Sequence, residues 1–445
     1  VFDASARITQ SDPLPLSTSK ETMAASDLNE PNAFRPVPRT GVIYVMTEAA
    51  RLGFSYGHPD WANLGQGAPE TGPIPGAPDR IADVSVDPRT SEYAPVPGML
   101  ELRVAVAELY NKRYRRGMKS QYGPENVAIA GGGRLSLSRL AAALGRTHVG
   151  HLIPDYTAYE ELLELFEMFT PIPIPLDPER GYQATAADLR TEILHRGLGA
   201  VLFSNPSNPT GRLVAGPQLA AYVEAARELD CYLLMDEYYS HYIWDSAAST
   251  SGSVSAAEFV EDVNRDPVVI LDGLTKNWRY PGWRIGWTIG PAHIIEAVSS
   301  VGSFLDGGAA HALQRAAIPL LDFDHAEAEA KAIRAHFGPK REMVLRRLNA
   351  MGIKADAPPS GAFYVWGSVA RLPAPLNDAA TFFRTALENK VITVPGEFFD
   401  VNPGKRRRAA ASRFNNYLRF SFGPETAQVE AGLDRLEAMI KAAQG

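Results

Sequence analysis

Two hydrophobic patterns alternate through the middle of the chain. Short runs without polar alternation, at 127–130 (VAIA), 150–153 (GHLI), 200–203 (AVLF), 232–235 (YLLM), 268–271 (VVIL) and 285–289 (IGWTI), predict buried strands. Longer stretches at 100–115, 135–144, 156–168 and 217–228 predict amphipathic helices. Strands apolar on both faces and separated by helices imply βα units around a mostly parallel sheet covered on both sides. Upstream, residues 41–52 predict a helix, 61–64 a short strand, and 65–76 a loop dense in Gly and Pro. After about residue 330 the pattern changes to a long helix over 326–351, strands at 363–366 and 417–420, and a closing helix from Glu425, which reads as a smaller α+β domain. Residues 1–40, rich in Ser, Pro, Asp and Thr, show no sustained period and read as an extended arm. There is no internal repeat.

Composition narrows the partners. A chain of 445 residues with 45% hydrophobic content can bury a large core. Its 44 basic and 51 acidic residues leave a net charge of -7, which gives no global attraction for nucleic acid or an anionic membrane. The cluster Lys405-Arg406-Arg407-Arg408 accordingly reads as a solvated loop, and a small-molecule partner is expected. The single cysteine, Cys231, opens an apolar stretch; it excludes an intrachain disulfide and reads as a buried strand residue in a reducing compartment. No apolar run has the length to span a bilayer, and Val1-Phe2-Asp3-Ala4 lacks a basic stretch leading into an apolar one, so a soluble, cytoplasmic protein is expected.

Candidate chemistry collects at the carboxyl ends of the strands, where open α/β sheets bind ligands. The run 127–130 ends in Gly131-Gly132-Gly133-Arg134 and enters a helix. Either the glycines serve a tight turn alone, or they let an anion approach the free N–H groups of the helix. The next run ends in Ser204-Asn205-Pro206-Ser207-Asn208-Pro209-Thr210-Gly211, whose two Asn-Pro steps enforce a rigid turn. Asp236, directly after YLLM, needs a cationic or hydrogen-bonding partner if buried; it either caps or salt-bridges within the core, or meets a ligand. Lys276 follows a strand end in Asp272-Gly273-Leu274-Thr275-Lys276, with Arg284 close behind. A desolvated lysine near other cations has the lowered pKa of an amine nucleophile. Phosphate turn, rigid amide, acid, lysine and arginine together suit a phosphorylated pyridine aldehyde.

These segments resemble the fold-type I, class I/II aminotransferase family over roughly residues 41–445. Residues 205–211 are similar to its N-P-x-N-P-T-G signature, 236–239 to D-E-x-Y, and 275–286 to (S/T)-K-x(5)-G-x-R-x-G; 64–69, 93–103 and 359–364 add shorter matches. The resemblance implies a large pyridoxal 5′-phosphate (PLP) binding domain at 81–330 and a small domain from 41–80 and 331–445. It implies that Lys276 holds PLP as a Schiff base and acts as the proton-transfer base. Asp236 would pair with the pyridine nitrogen, Asn208 and Tyr239 with the phenolic oxygen, and Tyr156 would stack on the ring. The phosphate would be held by the backbone at Gly133 and Arg134, by Thr275 and Arg284, and by Tyr93 of a partner subunit in a homodimer with shared sites. Arg419, with the backbone of Gly67, would hold the substrate α-carboxylate. No metal site is expected.

Two departures stand out. The family often has a serine three positions before the lysine; here Gly273 stands there, leaving Thr275 or Arg134 to compensate. The stretch 303–311 has no arginine for a second carboxylate but contains Asp306 and His311. Asp306 either faces the substrate, favouring neutral or cationic over dicarboxylic amino acids, or is a loop residue turned away; His311 is open between a ligand contact and a packed or solvent-facing residue. The implied activity is amino-group transfer between an amino acid and a 2-oxo acid. The same site also serves lyase, cyclase, racemase, oxidase or replacement chemistry, which resemblance does not separate. A regulator carrying this domain would need a DNA-binding region that the first forty residues do not supply.

Overall fold

Strands apolar on both faces must be covered twice, and in the computed structural model they form six of the seven strands of one sheet. The structure describes residues 41–245, 252–408 and 411–444; the arm expected over 1–40 lies outside the described residues. Helix α1 (Gly41–Arg51), the two-residue β1 (Ala62–Asn63) and α2 (Leu100–Tyr114) come first. Then follow β2 (Val127–Ala130), α3 (Gly133–Ala143), β3 (His148–Ile153), α4 (Ala158–Leu165), β4 (Thr170–Pro175), α5 (Ala186–Arg196), β5 (Leu198–Ser204), α6 (Gly216–Leu229) and β6 (Tyr232–Asp236). β7 (Val268–Gly273), β8 (Gly286–Ile289), α7 (Ala292–Leu305) and α8 (His311–Ala317) complete this part.

The sheet order is β2-β8-β7-β6-β5-β3-β4. β8 runs antiparallel to both neighbours and the other pairings are parallel. The carboxyl ends of β2, β3, β5, β6 and β7 therefore share one edge. Register there is tight: Ser204 lies opposite Asp236, Asp236 opposite Leu271, and Gly273 opposite Gly286. Each of the six apolar runs falls on this sheet. β4 escaped the reading because its sequence TPIPIP has proline at every second position. Prolines of one parity turn their missing N–H groups to one side, which only the open side of an edge strand tolerates. Helix α5, also unread, starts from a capping box in which Thr185 and Asp188 exchange side-chain and backbone bonds.

A second, four-stranded antiparallel sheet has the order β12-β13-β10-β9. It comes from the later chain, which runs α9 (Phe323–Ala350), β9 (Lys354–Ala355), β10 (Tyr364–Ser368), α10 (Ala379–Glu388), β11 (Val391–Ile392), β12 (Val394–Pro395), β13 (Tyr417–Ser421) and α11 (Thr426–Gln444). β1 returns to this part by pairing with β11. Cys231 is buried just before β6, and burial pushes its thiol up to about 12. In the basic cluster, Lys405 pairs with Glu160 and Glu161 and Arg407 with Asp400, so two of its four charges are already matched within the chain. Among the described residues no helix is long and apolar enough to cross a membrane.

One buried ion pair fixes the loops that border the strand edge. Arg279, three residues after Lys276, donates from Nε to Glu329 of α9 at 2.7 Å and from Nη1 to the carbonyl of Gly72 at 2.6 Å. Arg80 adds bonds to the carbonyls of Trp278 and Arg279 at 2.9 and 2.8 Å. Both Arg279 and Glu329 are almost completely buried, so removing one partner strands the other charge. Glu329→Ala should therefore lower unfolding free energy by about 3–5 kcal/mol in denaturant titrations; a loss below about 1 kcal/mol would show that the pair does not anchor these loops.

Candidate active site

Three strand ends and one loop place a lysine opposite a carboxylate. Lys276 lies just beyond β7, half-buried, and its Nζ donates to the carbonyl of Gly67. Burial, then the positive charges of Arg419, Arg134 and Arg284, lower its pKa to about 7, against an opposing pull from Asp236. Behind it Asn277 is tied down by donating to Asp272 at 2.7 Å, to the Ser240 hydroxyl at 3.0 Å and to the Glu237 carbonyl at 3.1 Å. Asp236 ends β6 in the interior. Burial raises its pKa to about 6, while the Tyr159 hydroxyl, the Tyr238 N–H and Lys276 pull it back. Tyr159 donates to Asp236 Oδ2 at 2.8 Å.

A second group gathers around Arg419, on β13 and 1% exposed. Its Nη1 donates to Asn208 Oδ1 at 2.7 Å and its Nη2 to the Gly65 carbonyl at 2.5 Å. The guanidinium lies over the rings of Tyr364 and Phe399, 4.3 and 5.0 Å from their centroids. Nε has no partner. Asn208 is set by the Ser204 hydroxyl, which accepts from its N–H at 3.0 Å and donates to Asp155 at 2.6 Å. The Asn208 amide also reaches the Tyr239 hydroxyl at 3.5 Å, and that hydroxyl shares a 2.7 Å bond with Tyr364. Gly67 must be glycine here, because a methyl group would collide with the Tyr364 hydroxyl.

Between these groups and the start of α3 several hydrogen-bond donors converge. Gly132 turns the chain at φ +88, letting the helix begin at Gly133, two residues before the expected start. A side chain at Gly132 would strike the guanidinium of Arg284. The Thr275 and Tyr238 hydroxyls are buried here without partners. A helix start of free N–H groups, a guanidinium and two unpaired hydroxyls make a receptor for a multiply charged anion.

The chain thus brings together Lys276, Asp236, Asn208, Tyr239, Thr275, Arg284, Gly133, Gly67 and Arg419. Tyr156 borders them, half-buried and edge-on to Tyr159 at 5.5 Å. Arg134 is exposed and reaches the site through its charge alone. Tyr93 is 96% exposed, outside this constellation. Of the two readings open for Asp306, its contacts favour the loop residue paired within the chain. Its carboxylate accepts from Arg139 Nε at 2.8 Å, pairs with Arg139 Nη2, and takes the Gly308 N–H at 2.8 Å, so its charge is matched within the chain. His311 Nδ1 lies 3.1 Å from the Glu92 carbonyl. Sequence reasoning missed Tyr159, Tyr238 and Tyr364. Tyr159 and Tyr364 sit in segments already singled out, one helical turn after Tyr156 and at the end of P-S-G-A-F-Y.

The family model described as aminotransferase class I and II matches residues 59–436. An aspartate aminotransferase of Streptomyces avermitilis is 26% identical over 410 residues, 88% of this chain and 90% of that protein. An aspartate/prephenate aminotransferase of Thermus thermophilus is 31% identical over 312 residues, 69% and 76% of the two chains. The crystal structure of an aminotransferase from Mycobacterium tuberculosis superposes with a TM-score of 0.73 at 26% identity, covering 91% of this chain and 97% of that one.

The lowered pKa of Lys276 has a measurable sign. Its amine is free above about pH 7, whereas an ordinary lysine stays protonated to 10.5. Pulse labelling of the cofactor-free protein with an amine reagent should therefore give a midpoint near 7 at Lys276. Asp236→Asn, which removes the opposing charge, should move the midpoint lower still. A midpoint near 10 would contradict the electrostatic picture.

Proposed function

The chain belongs to the class I and II aminotransferase family, and from that premise we propose that Lys276 is the residue that holds the family's cofactor, with Asp236 and Arg419 as its principal partners. The protein is an aminotransferase, and members of the family use pyridoxal phosphate. The observation that carries the assignment is an amine of lowered pKa facing a buried carboxylate, flanked by converging donors at the start of α3 on one side and a buried arginine on the other. The residues present fit the cofactor: the orphaned Thr275 hydroxyl and the Arg284 guanidinium suit its phosphate, and Asp236 suits a protonated ring nitrogen. When bound, the cofactor supplies an electron sink that lets the α-carbon of an amino acid lose a proton.

On this reading each residue has a defined task. Asp236, held by Tyr159, keeps a proton on the ring nitrogen by its negative charge. Tyr239 and Asn208 present hydrogen-bonding groups to the phenolic oxygen, with Tyr364 fixing the Tyr239 hydroxyl. Tyr156 covers the ring. The N–H groups at Gly133 and Arg134, the Thr275 hydroxyl and Arg284 bind the phosphate. Arg419 forks onto the substrate α-carboxylate, assisted by Gly67, and Lys276 Nζ takes the proton from the α-carbon. The substrates are an amino acid and a 2-oxo acid.

The side-chain preference expected from residues 303–311 loses half its basis, because Arg139 already matches Asp306 and nothing there favours a cationic substrate. What supports a preference for neutral over dicarboxylic amino acids is the lack of a cationic side chain in that segment apart from His311. We also infer a homodimer in which Tyr93 serves the partner's phosphate site, supported by the exposure of two large hydrophobic side chains, Tyr93 at 96% and Phe304 at 76%. A cytoplasmic location is proposed as well, in keeping with one buried, unpaired cysteine; fractionation of expressing cells checks it.

Two measurements test the reading. Holoenzyme mixed with alanine or leucine should lose the absorbance of its aldehyde cofactor while the matching 2-oxo acid accumulates, with kcat/KM above that for aspartate. Asp236→Asn should slow this by two or more orders of magnitude, on the scale of a lost preorganised charge. Ammonia release without a 2-oxo acid acceptor requirement, or a higher kcat/KM for aspartate, would contradict the respective parts. For the dimer, mixing inactive Tyr93→Ala and Lys276→Ala subunits should restore activity by forming one intact site; full activity in a dilute monomer would refute shared sites.

A further inference from the structure

The Tyr238 hydroxyl has no place in the tasks above, yet it sits buried beside the start of α3, where the donors converge. Tyr238 is 6% exposed and its Oη has no hydrogen-bond partner. Ser136, on the first turn of α3, is near enough to bear on its acidity but forms no bond of acceptable geometry with it. Leaving a buried hydroxyl unpaired costs on the order of 1–3 kcal/mol, so a partner for it is expected.

Glycines make the room that this phenol occupies. A Cβ at Gly133, the first residue of α3, would lie 2.9 Å from Oη and 2.7 Å from the ring carbon that bears it. A Cβ at Gly286 would strike Oη itself while lying 3.2 Å from the Gly133 nitrogen. The hydroxyl is thus wedged between the start of α3 and the start of β8, two residues from Arg284. At Gly273 a Cβ would meet Gly286 Cα and the Ile285 carbonyl at 2.6 Å and the edge of the Tyr238 ring at 3.1 Å. A serine side chain at that position is therefore excluded by backbone, and the volume beside it is filled by the tyrosine. Arg134, one of the two residues expected to compensate for the missing serine, is exposed.

We propose that Tyr238 is a phosphate-binding residue, whose hydroxyl donates to the cofactor's phosphate in place of the hydroxyl absent at Gly273. The proposal rests on the cofactor site described under Proposed function. Burial holds the phenol well above its ordinary pKa, so it remains a donor at any working pH. The dianionic acceptor would satisfy Oη with a charge-assisted bond. The ring also packs between β6, β7 and α3, where a Cβ at position 133, 273 or 286 would crowd it.

Tyr238→Phe isolates the hydroxyl, since Oη makes no bond within the chain and the ring is retained. The variant's cofactor-free melting temperature should match wild type. Dissociation constants for pyridoxal phosphate and for pyridoxal, which lacks the phosphate, then separate the possibilities. Loss of a hydrogen bond to a charged group predicts a roughly ten- to hundredfold weaker constant for pyridoxal phosphate, with pyridoxal unchanged. A folded variant that binds pyridoxal phosphate as wild type does, or that weakens for both ligands equally, overturns the role of Tyr238 alone. A wild-type protein that does not prefer pyridoxal phosphate to pyridoxal overturns the cofactor site itself, and the Tyr238 proposal with it.

Discussion

The site is governed by an excess of positive charge that the chain does not neutralise. Lys276 stands among Arg419, Arg134 and Arg284 with Asp236 as the opposing charge that bears on it. Like charges gathered in a partly dry edge are unfavourable unless anions arrive or an amine gives up its proton. Both responses suit amino-group transfer. The lysine yields its proton near neutrality, and on the proposed reading the two cationic ends would receive two anions, a phosphate at the start of α3 and a carboxylate at Arg419.

Rigid scaffolding makes this arrangement tolerable. Asp236 cannot withdraw from the edge, because β6 is hydrogen-bonded on both sides and Ser204 and Leu271 lie directly across from it. Asn277 and Arg279 fasten the chain on the far side of Lys276 to Asp272, Glu237 and Glu329. Arg419 is held by Asn208 and Gly65 and lies against two aromatic rings. Preorganisation of this kind means that little rearrangement is needed when charge develops during reaction.

Much of this was legible in the sequence for a physical reason. A polar residue directly after a fully apolar strand has few places to go except the strand edge, so Asp236 stood out from its neighbours alone, whereas Asn208 and Lys276, five residues past their apolar runs, drew their roles from the resemblance. The six apolar strands were legible from their unbroken hydrophobic runs. The unread parts depend on contacts between distant segments. Asp306 offered two readings until Arg139 of α3 was seen to hold it. Tyr238 followed an apolar run and an acidic pair with nothing to distinguish it; its position became meaningful only when Gly133, Gly273 and Gly286 were seen to face it. Tyr364 likewise acquires its role from Tyr239 and Gly67, and β4 hid behind prolines that only an edge strand permits.

The account stands or falls on one amine. Borohydride reduction of the holoenzyme, followed by proteolysis and mass spectrometry, fixes the cofactor to whichever lysine holds it. The cationic strand edge predicts a single pyridoxyl adduct, on the peptide containing Lys276, with every other lysine unmodified. An adduct at any other lysine, with Lys276 unlabelled, would contradict the placement of the site.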